Sequence, residues 1–222
     1  TWVPFSRELW SSAEGEQDYL VGTPEGEPLA EMPSFDPHDH RLTVVSEAEL
    51  RADGSLTGTL TITGHGYSDQ RMRRQLLHSI GSADRQAWFE EMVAQLGPGA
   101  RVEPVDAATE RILNLGKPLA LEIRYELPGF AIVGEDALFF HPPTARHLIT
   151  SGSLAPYLGL DAPAERRHPI LIWAPRMRIA RETLKLPEGY RVAHLPEDRT
   201  IEGEAASLKT HMEVADGSLS YD

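Results

Sequence analysis

Apolar and polar residues alternate along residues 41–63 in two runs that a short turn separates. The alternating apolar positions are Leu42, Val44, Ala48 and Leu50 in the first run and Leu56, Leu60 and Ile62 in the second. A period of two is typical of a strand with one buried face, and Asp53-Gly54 between two such runs is a strong hairpin signal. The pattern therefore predicts an antiparallel β-hairpin.

The residues of this turn return near the end of the sequence. Ala-Asp-Gly-Ser-Leu occupies 52–56 and again 215–219, three residues before the last residue. If the second copy also turns the chain, only a short strand follows it. We therefore expect a second hairpin that is truncated just after its turn.

The apolar period lengthens after the first hairpin. Apolar residues spaced four apart form two sets: Met72, Leu76 and Ile80, followed by Trp88, Met92 and Leu96. This spacing is typical of amphipathic helices, and Gly81 and Gly97 are natural helix ends. We predict two amphipathic helices near residues 68–97 that cover one face of a sheet.

Strand patterns resume after the helices. The clear segments are 119–127, 137–140 and 170–173, and the weaker ones are 177–186, 190–194 and 206–214. Many strands with two inserted helices favour a mainly β fold, α+β by content, built as an antiparallel β-sandwich. Residues 41–222 would form this sandwich domain, and the proline-containing residues 1–40 would form an irregular N-terminal segment.

Composition excludes several classes of function. The formal net charge of −13 opposes binding to nucleic acid or to an anionic membrane, because both need a basic surface. The absence of cysteine excludes a disulfide scaffold and a cysteine nucleophile within this chain. No run of 18 apolar residues occurs, so we expect no membrane insertion.

Several landmarks follow one another in an order that resembles a known family. A turn at Gly64 leads into an arginine-bearing helix, and the later landmarks are Arg167-His168-Pro169-Ile170, Leu186-Pro187-Glu188-Gly189-Tyr190 and Leu195-Pro196. Over residues 18–222 this order resembles the C-terminal β-domain of bacterial transglutaminase-like proteins. The resemblance implies an accessory domain in intramolecular contact with an upstream transglutaminase-like core. It also implies an exported or periplasmic protein.

One part of the family pattern is missing. A Trp-hydrophobic-Asp-Pro motif often stands near the end of the catalytic core, whereas this chain reads Trp2-Val3-Pro4-Phe5 without the aspartate. The cysteine and histidine that the resemblance implies would lie upstream of this chain. No catalytic residue is therefore carried over, and no cofactor is expected.

Asp36, His38 and His40 form the best candidate metal site. In an extended segment these three side chains would point the same way, and imidazole with carboxylate can bind zinc. A closed site needs a fourth ligand that the sequence does not identify. The alternative is a solvated polar linker in front of the first long strand.

Two other polar groups have simpler structural explanations. Gly64-His65-Gly66 precedes a helix whose N-terminus could hold an anion, but glycines there also permit a sharp turn. Glu90 and Glu91 are adjacent in a predicted helix, so their carboxylates point about 100° apart and do not converge on one substrate atom.

Arginines supply the remaining candidates. Arg71 lies with Arg73 and Arg74 on what we expect to be one solvated helix face. Arg167 precedes an apolar strand, where a guanidinium suits a carboxylate partner or a neighbouring domain. We regard Arg71 and Arg167 as candidates for structural or interdomain contacts.

Three hypotheses follow for the function. The first is a non-catalytic accessory β-domain that supports or positions the upstream core. The second is an independent carbohydrate- or peptide-binding module. The third is a small hydrolase or metal site that uses scattered histidine and aspartate residues. The sequence leaves the oligomeric state open.

Overall fold

A computed structural model describes residues 16–32, 36–144, 175–204 and 206–222. Strand is the commonest regular structure in these residues. The strands are β1 (Asp18–Tyr19), β2 (Ala30–Glu31), β3 (Leu42–Leu50), β4 (Leu56–Gly64), β5 (Arg101–Val102), β6 (Ala120–Leu127), β7 (Ile132–Val133), β8 (Leu138–Phe139), β9 (Arg178–Lys185), β10 (Arg199–Glu202), β11 (Ser207–Thr210), β12 (Met212–Ala215) and β13 (Ser218–Tyr221). The helices are α1 (Tyr67–Arg74), α2 (Arg85–Ala94) and α3 (Thr109–Leu113).

Seven strands form one sheet in the order β12-β13-β9-β3-β4-β6-β5. At its centre β3 and β4 pair antiparallel over their whole length, from Leu42 opposite Gly64 to Leu50 opposite Leu56. Gly54, with a φ of +82°, supplies the left-handed conformation that the connecting turn needs. The predicted first hairpin and the β-rich fold are confirmed.

The sheet is mixed, so the expectation of a purely antiparallel sheet is wrong. β9 pairs parallel with β3, with Leu42 opposite Arg178 and Glu49 opposite Lys185. A short turn forces consecutive strands to run antiparallel, whereas a strand that is distant in sequence can enter the sheet in either direction. The alternation of residues 177–186 therefore predicts the strand but not its direction.

Helices cover one face of the sheet and bury the core. The inward residues of the helical layer include Leu76, Phe89, Val93 and Ile112. The opposite face carries exposed charges, among them Glu47, Glu49, Glu122 and Arg124. Within the described residues the layer on the buried face is helical, and a sandwich with a second packed sheet stays a prediction.

The two predicted amphipathic helices are confirmed with modified ends. α1 continues into a π-helical turn over Gln75–Ser79, and α2 follows it. The five-residue helix α3 has no counterpart among the predictions, because its apolar pattern is too short to be periodic. Among the described helices, none combines the length and the apolar character that crossing a membrane requires.

The second Asp-Gly turn also joins two strands. Asp216 and Gly217 both have positive φ, at 49° and 72°, and β12 and β13 pair over four residues. β13 also pairs with β9, which ties this hairpin to the large sheet. Truncation of the hairpin stays a prediction.

Of the remaining predictions, one is wrong and others concern residues that the structure does not describe. Residues 190–194 form no strand, so that prediction is wrong. The predicted strand at 170–173 and residues 1–15 lie outside the described residues. The described part of residues 1–40 holds only the two-residue strands β1 and β2 and a 3-10 helix over Pro37–His40.

Candidate binding pocket

A pocket of about 420 Å³ lies between the helical layer and the large sheet. Its apolar walls come from both layers, and the residues are Leu42, Val44, Ile62, Met72, Leu76, Trp88, Met92, Leu121 and Met177. Ligand pockets of proteins span about 300–1,000 Å³ and are mostly apolar with a few polar groups. In size and lining, this pocket has the properties of a small-molecule or segment-binding site.

The apolar periodicity of the sequence builds these walls. Leu42 and Val44 are two residues apart on β3, and alternation places both on the face that the helices cover. Met72 and Leu76, four residues apart, face the same space from the helical layer. The residues that the sequence assigns to the core thus also line a cavity in it.

Three arginines stand at this pocket. Arg71 projects from α1, and Arg176 and Arg178 lie at the entry to β9. Arg178 has the same parity as the buried Ala180, so it lies on the covered face of the sheet. In the part of the chain that the structure describes, neither Arg71 nor Arg176 forms an ion pair.

The exposed guanidiniums of Arg71 and Arg176 raise the positive potential of the pocket. Burial lowers the pKa of Arg178, and the charges of Arg176 and Arg71 lower it further. Glu91 adds one exposed carboxylate to the lining. The site therefore carries excess positive charge in a chain whose net charge is −13. It is suited to a negatively charged group attached to an apolar body.

A contact chain fixes the position of Arg176. The backbone N–H of Tyr67 donates to His40 Nδ1 at 3.0 Å, which anchors the start of α1. The ring of Tyr67 then lies beneath Arg176, whose Cζ is 4.9 Å from the ring centroid. This cation–π contact holds the guanidinium at the pocket.

The structure does not bring Asp36, His38 and His40 together. Residues 37–40 form a 3-10 helix. The metal hypothesis assumed an extended conformation for this segment, and that prediction is wrong. Asp36 Oδ1 accepts hydrogen bonds from the backbone N–H of His38 and contacts its Nδ1, both at 2.8 Å, on the surface. His40 is buried and turned toward α1, and burial lowers its pKa.

In the described part of the chain, no other metal site takes the place of this candidate. Across residues 16–32, 36–144, 175–204 and 206–222, no group of three histidine, aspartate or glutamate side chains is arranged to hold a metal ion. The turn at Gly64-His65-Gly66 is sharp and crowded. A Cβ on Gly64 would lie 2.7 Å from the backbone nitrogen of Asp69, and Gly66 has a φ of +53°. These glycines therefore have a steric role.

The arginine candidates divide three ways. Arg71 is exposed and lines the pocket. Arg73 is 1% exposed, so the expectation that it lies on a solvated face is wrong. It pairs with Asp69 at 2.7 Å and donates to the carbonyl oxygens of Asn114 and Lys117, at 3.0 and 2.8 Å, and of Ile112. Arg167 lies outside the described residues.

A buried polar cluster lies at the strands of the sheet, and none of its residues lines the pocket. Glu182 on β9 is 2% exposed and accepts from Thr144 Oγ1 at 2.6 Å and from Thr144 N at 3.2 Å. Tyr221 contacts Thr144, and Ser46 lies beside Glu182. Burial raises the pKa of Glu182, although the hydrogen bonds from Thr144 act in the opposite direction. Folding therefore shifts the ionisation of Glu182 toward the protonated form.

Sequence reasoning missed Arg176, Arg178 and Tyr67. Alternation along the predicted strand 177–186 could have placed Arg178 on the covered face, but Arg176 lies before β9 and alternation does not fix its direction. The sequence does not predict that β9 pairs parallel with β3. This pairing is what places Arg178 opposite Leu42.

Comparisons of the chain with protein-family models, with curated proteins and with solved structures find no match. The transglutaminase-like resemblance therefore stays a hypothesis that rests on the sequence landmarks.

Proposed function

We propose that this chain is a non-catalytic binding domain whose pocket recognises an anionic group attached to an apolar body. The observation that carries the proposal is the grouping of Arg71, Arg176 and Arg178 at an apolar pocket of about 420 Å³. Arg71 and Arg176 are exposed cations at the same pocket, and a bound anion would reduce the repulsion between them. This proposal combines the accessory-domain hypothesis with the binding function of the second hypothesis, which named carbohydrate or peptide as the ligand.

We propose in addition that the domain accompanies an upstream transglutaminase-like core. An exposed apolar hairpin supports a contact of this kind: Ile132, Val133 and Phe139 of β7 and β8 are 73%, 53% and 62% exposed. Exposed apolar patches commonly mark interaction surfaces. The β-sandwich architecture remains part of this proposal, and the antiparallel pairs β7–β8 and β10–β11 are strands outside the large sheet that a second layer could include.

The third hypothesis, a small hydrolase or metal enzyme, receives less support. It relied either on Asp36, His38 and His40 or on a triad of scattered histidine and aspartate residues, and the three side chains of the first group do not converge. We accordingly propose that the chain has no turnover of its own.

Titration with 8-anilinonaphthalene-1-sulfonate tests the proposed site, because this probe joins a sulfonate to an apolar ring system and fluoresces when bound. We expect saturable binding of one probe per chain. The double variant Arg71→Gln/Arg176→Gln should bind the probe at least about tenfold more weakly, since hydrogen bonds to charged groups contribute about 1.5–3 kcal/mol each.

Arg74→Gln is the matched control, because Arg74 is an exposed arginine of the same helix that does not line the pocket. Its affinity for the probe should equal that of the unaltered chain. Equal affinity in the double variant, or binding without saturation, would contradict the proposal.

A further inference from the structure

We infer that the ligand of this pocket is an aliphatic chain that ends in a carboxylate and has about a dozen non-hydrogen atoms. This inference rests on the proposed function, since it names the class of molecule that the same pocket takes. The volume of the pocket, its apolar lining and its charged side chains each support this assignment.

The volume of the pocket sets the size. At about 30 Å³ for each water molecule, 420 Å³ corresponds to roughly 14 water-sized groups. A non-hydrogen atom with its hydrogens occupies a similar volume. An acyl chain of ten carbons with its two carboxylate oxygens therefore fits, whereas a chain of half that length would leave much of the pocket empty.

The walls favour an aliphatic tail. Three of the five methionines of the chain, Met72, Met92 and Met177, line the pocket. Methionine is unbranched and adaptable, so it packs well against flexible partners of variable shape. Trp88 and Tyr67 bring aromatic rings to the lining, and the remaining apolar lining residues are leucine, isoleucine and valine. Such walls suit a flexible hydrocarbon better than a flat ring.

The exposed arginines of the pocket favour a carboxylate as the charged end, or head, of the ligand. Arg71 and Arg176 present planar guanidiniums, whose paired N–H groups match the two oxygens of a carboxylate. Tyr67 already holds Arg176, so little side-chain freedom is lost when the head binds. Glu91 lies in the same lining and repels added negative charge, which favours a head with one charge over a dianionic phosphate.

Calorimetric titration of the 222-residue chain with decanoate, below its micellar concentration, tests this assignment. We expect binding of one decanoate per chain and displacement of bound anilinonaphthalenesulfonate. Decanamide, which has the same tail and a neutral head, should bind at least about tenfold more weakly, and so should decanoate to Arg71→Gln/Arg176→Gln. Binding to Arg74→Gln should be unchanged. Both altered arginines are exposed, and thermal unfolding would verify that the double variant folds.

The outcomes separate this inference from the proposed function. If the sulfonate probe binds through Arg71 and Arg176 but decanoate does not displace it, the acyl assignment is wrong and the proposed function stands. Equal affinity for decanamide and decanoate, or tighter binding of decyl phosphate, would also overturn the carboxylate assignment. If neither the probe nor decanoate binds, both proposals are wrong.

Discussion

The guanidinium of Arg176 lies over the ring of Tyr67, with Cζ 4.9 Å from the ring centroid. Both residues line the pocket, and the start of α1 carries Tyr67 while the entry to β9 carries Arg176. This one contact therefore links the helical layer to the sheet where the proposed ligand head binds.

Replacing the ring of Tyr67 should weaken anion binding through Arg176. Tyr67→Leu removes the cation–π contact, which is worth about 0.5–1 kcal/mol at an exposed site, so affinity for the sulfonate probe should fall about two- to fivefold. Tyr67→Phe keeps the ring and is the matched control, with affinity near that of the unaltered chain. Equal losses in the two variants would show that the ring does not position Arg176.

Arg73 and Arg74 are neighbours in sequence, but we expect their replacement to change stability by very different amounts. Arg73→Met leaves Asp69 and three carbonyl oxygens without their buried donor, which should cost about 3–5 kcal/mol in the free energy of unfolding. Arg74→Met changes an exposed side chain and should cost less than about 0.5 kcal/mol. Urea denaturation measures both, and similar values for the two variants would contradict the buried position of Arg73.

Glu182 should make stability depend on pH. Its pKa is raised in the fold, so its contribution to stability is present in full below the unfolded-state pKa and is lost as pH rises through the folded-state pKa. Tyr125 and Tyr221 near it stay neutral in this range, because burial raises the pKa of Tyr125 to about 12 and raises that of Tyr221 as well.

Glu182→Gln is neutral at every pH and keeps an oxygen that can accept from Thr144. Its stability relative to the unaltered chain should therefore rise as pH increases, when both are unfolded in urea at a series of pH values. Glu47→Gln, at an exposed position of β3, is the control for the loss of an exposed carboxylate. A difference between Glu182→Gln and the unaltered chain that is constant with pH would contradict the raised pKa.

Gly58 is needed because the side chain of Tyr125 occupies the space above it. A Cβ at position 58 would lie 2.8 Å from the hydroxyl oxygen of Tyr125 and 2.9 Å from the Cβ of Ala48. We expect Gly58→Ala to lower the free energy of unfolding by about 1–3 kcal/mol, as overpacking does. Tyr125→Phe in the same chain should restore part of the loss, since it removes one of the two close contacts.

Gly129→Ala is the control for this change, because a Cβ there would meet no atom within 4 Å. Its effect should be within about 0.5 kcal/mol of zero. If the alanine at position 58 were equally harmless, the close approach of Tyr125 to β4 would be wrong.

Local patterns predicted the elements, and long-range pairing decided how they assemble. The alternation around Asp53-Gly54 was enough for the β3–β4 hairpin, because turn and strands are contiguous in sequence. The parallel entry of β9 beside β3 depends on residues more than a hundred positions apart, and no local pattern records it. The pocket could not be predicted for the same reason, because Arg71 in α1 and Arg176 before β9 are also more than a hundred positions apart.

Single residues show the limit as clearly. The polarity of Arg73 predicts a solvated side chain. In the structure the side chain is buried and donates hydrogen bonds to three carbonyl oxygens, one in α3 and two in the segment that follows it. His40 reads as a metal ligand, and the structure uses its Nδ1 to accept the first N–H of α1. In both cases the partner that defines the role lies at least 27 residues away.

The most direct test of the account is an NMR titration of the chain labelled with ¹³C at its methionine methyl groups. The aromatic rings of anilinonaphthalenesulfonate shift nearby methyl signals, and the five methionines divide into two groups. Met72, Met92 and Met177 line the pocket, whereas Met32 and Met212 lie outside it. We predict that the first three signals shift on addition of the probe and that the other two stay in place. Unchanged signals from Met72, Met92 and Met177 at saturating probe would contradict the central claim that this pocket is the binding site.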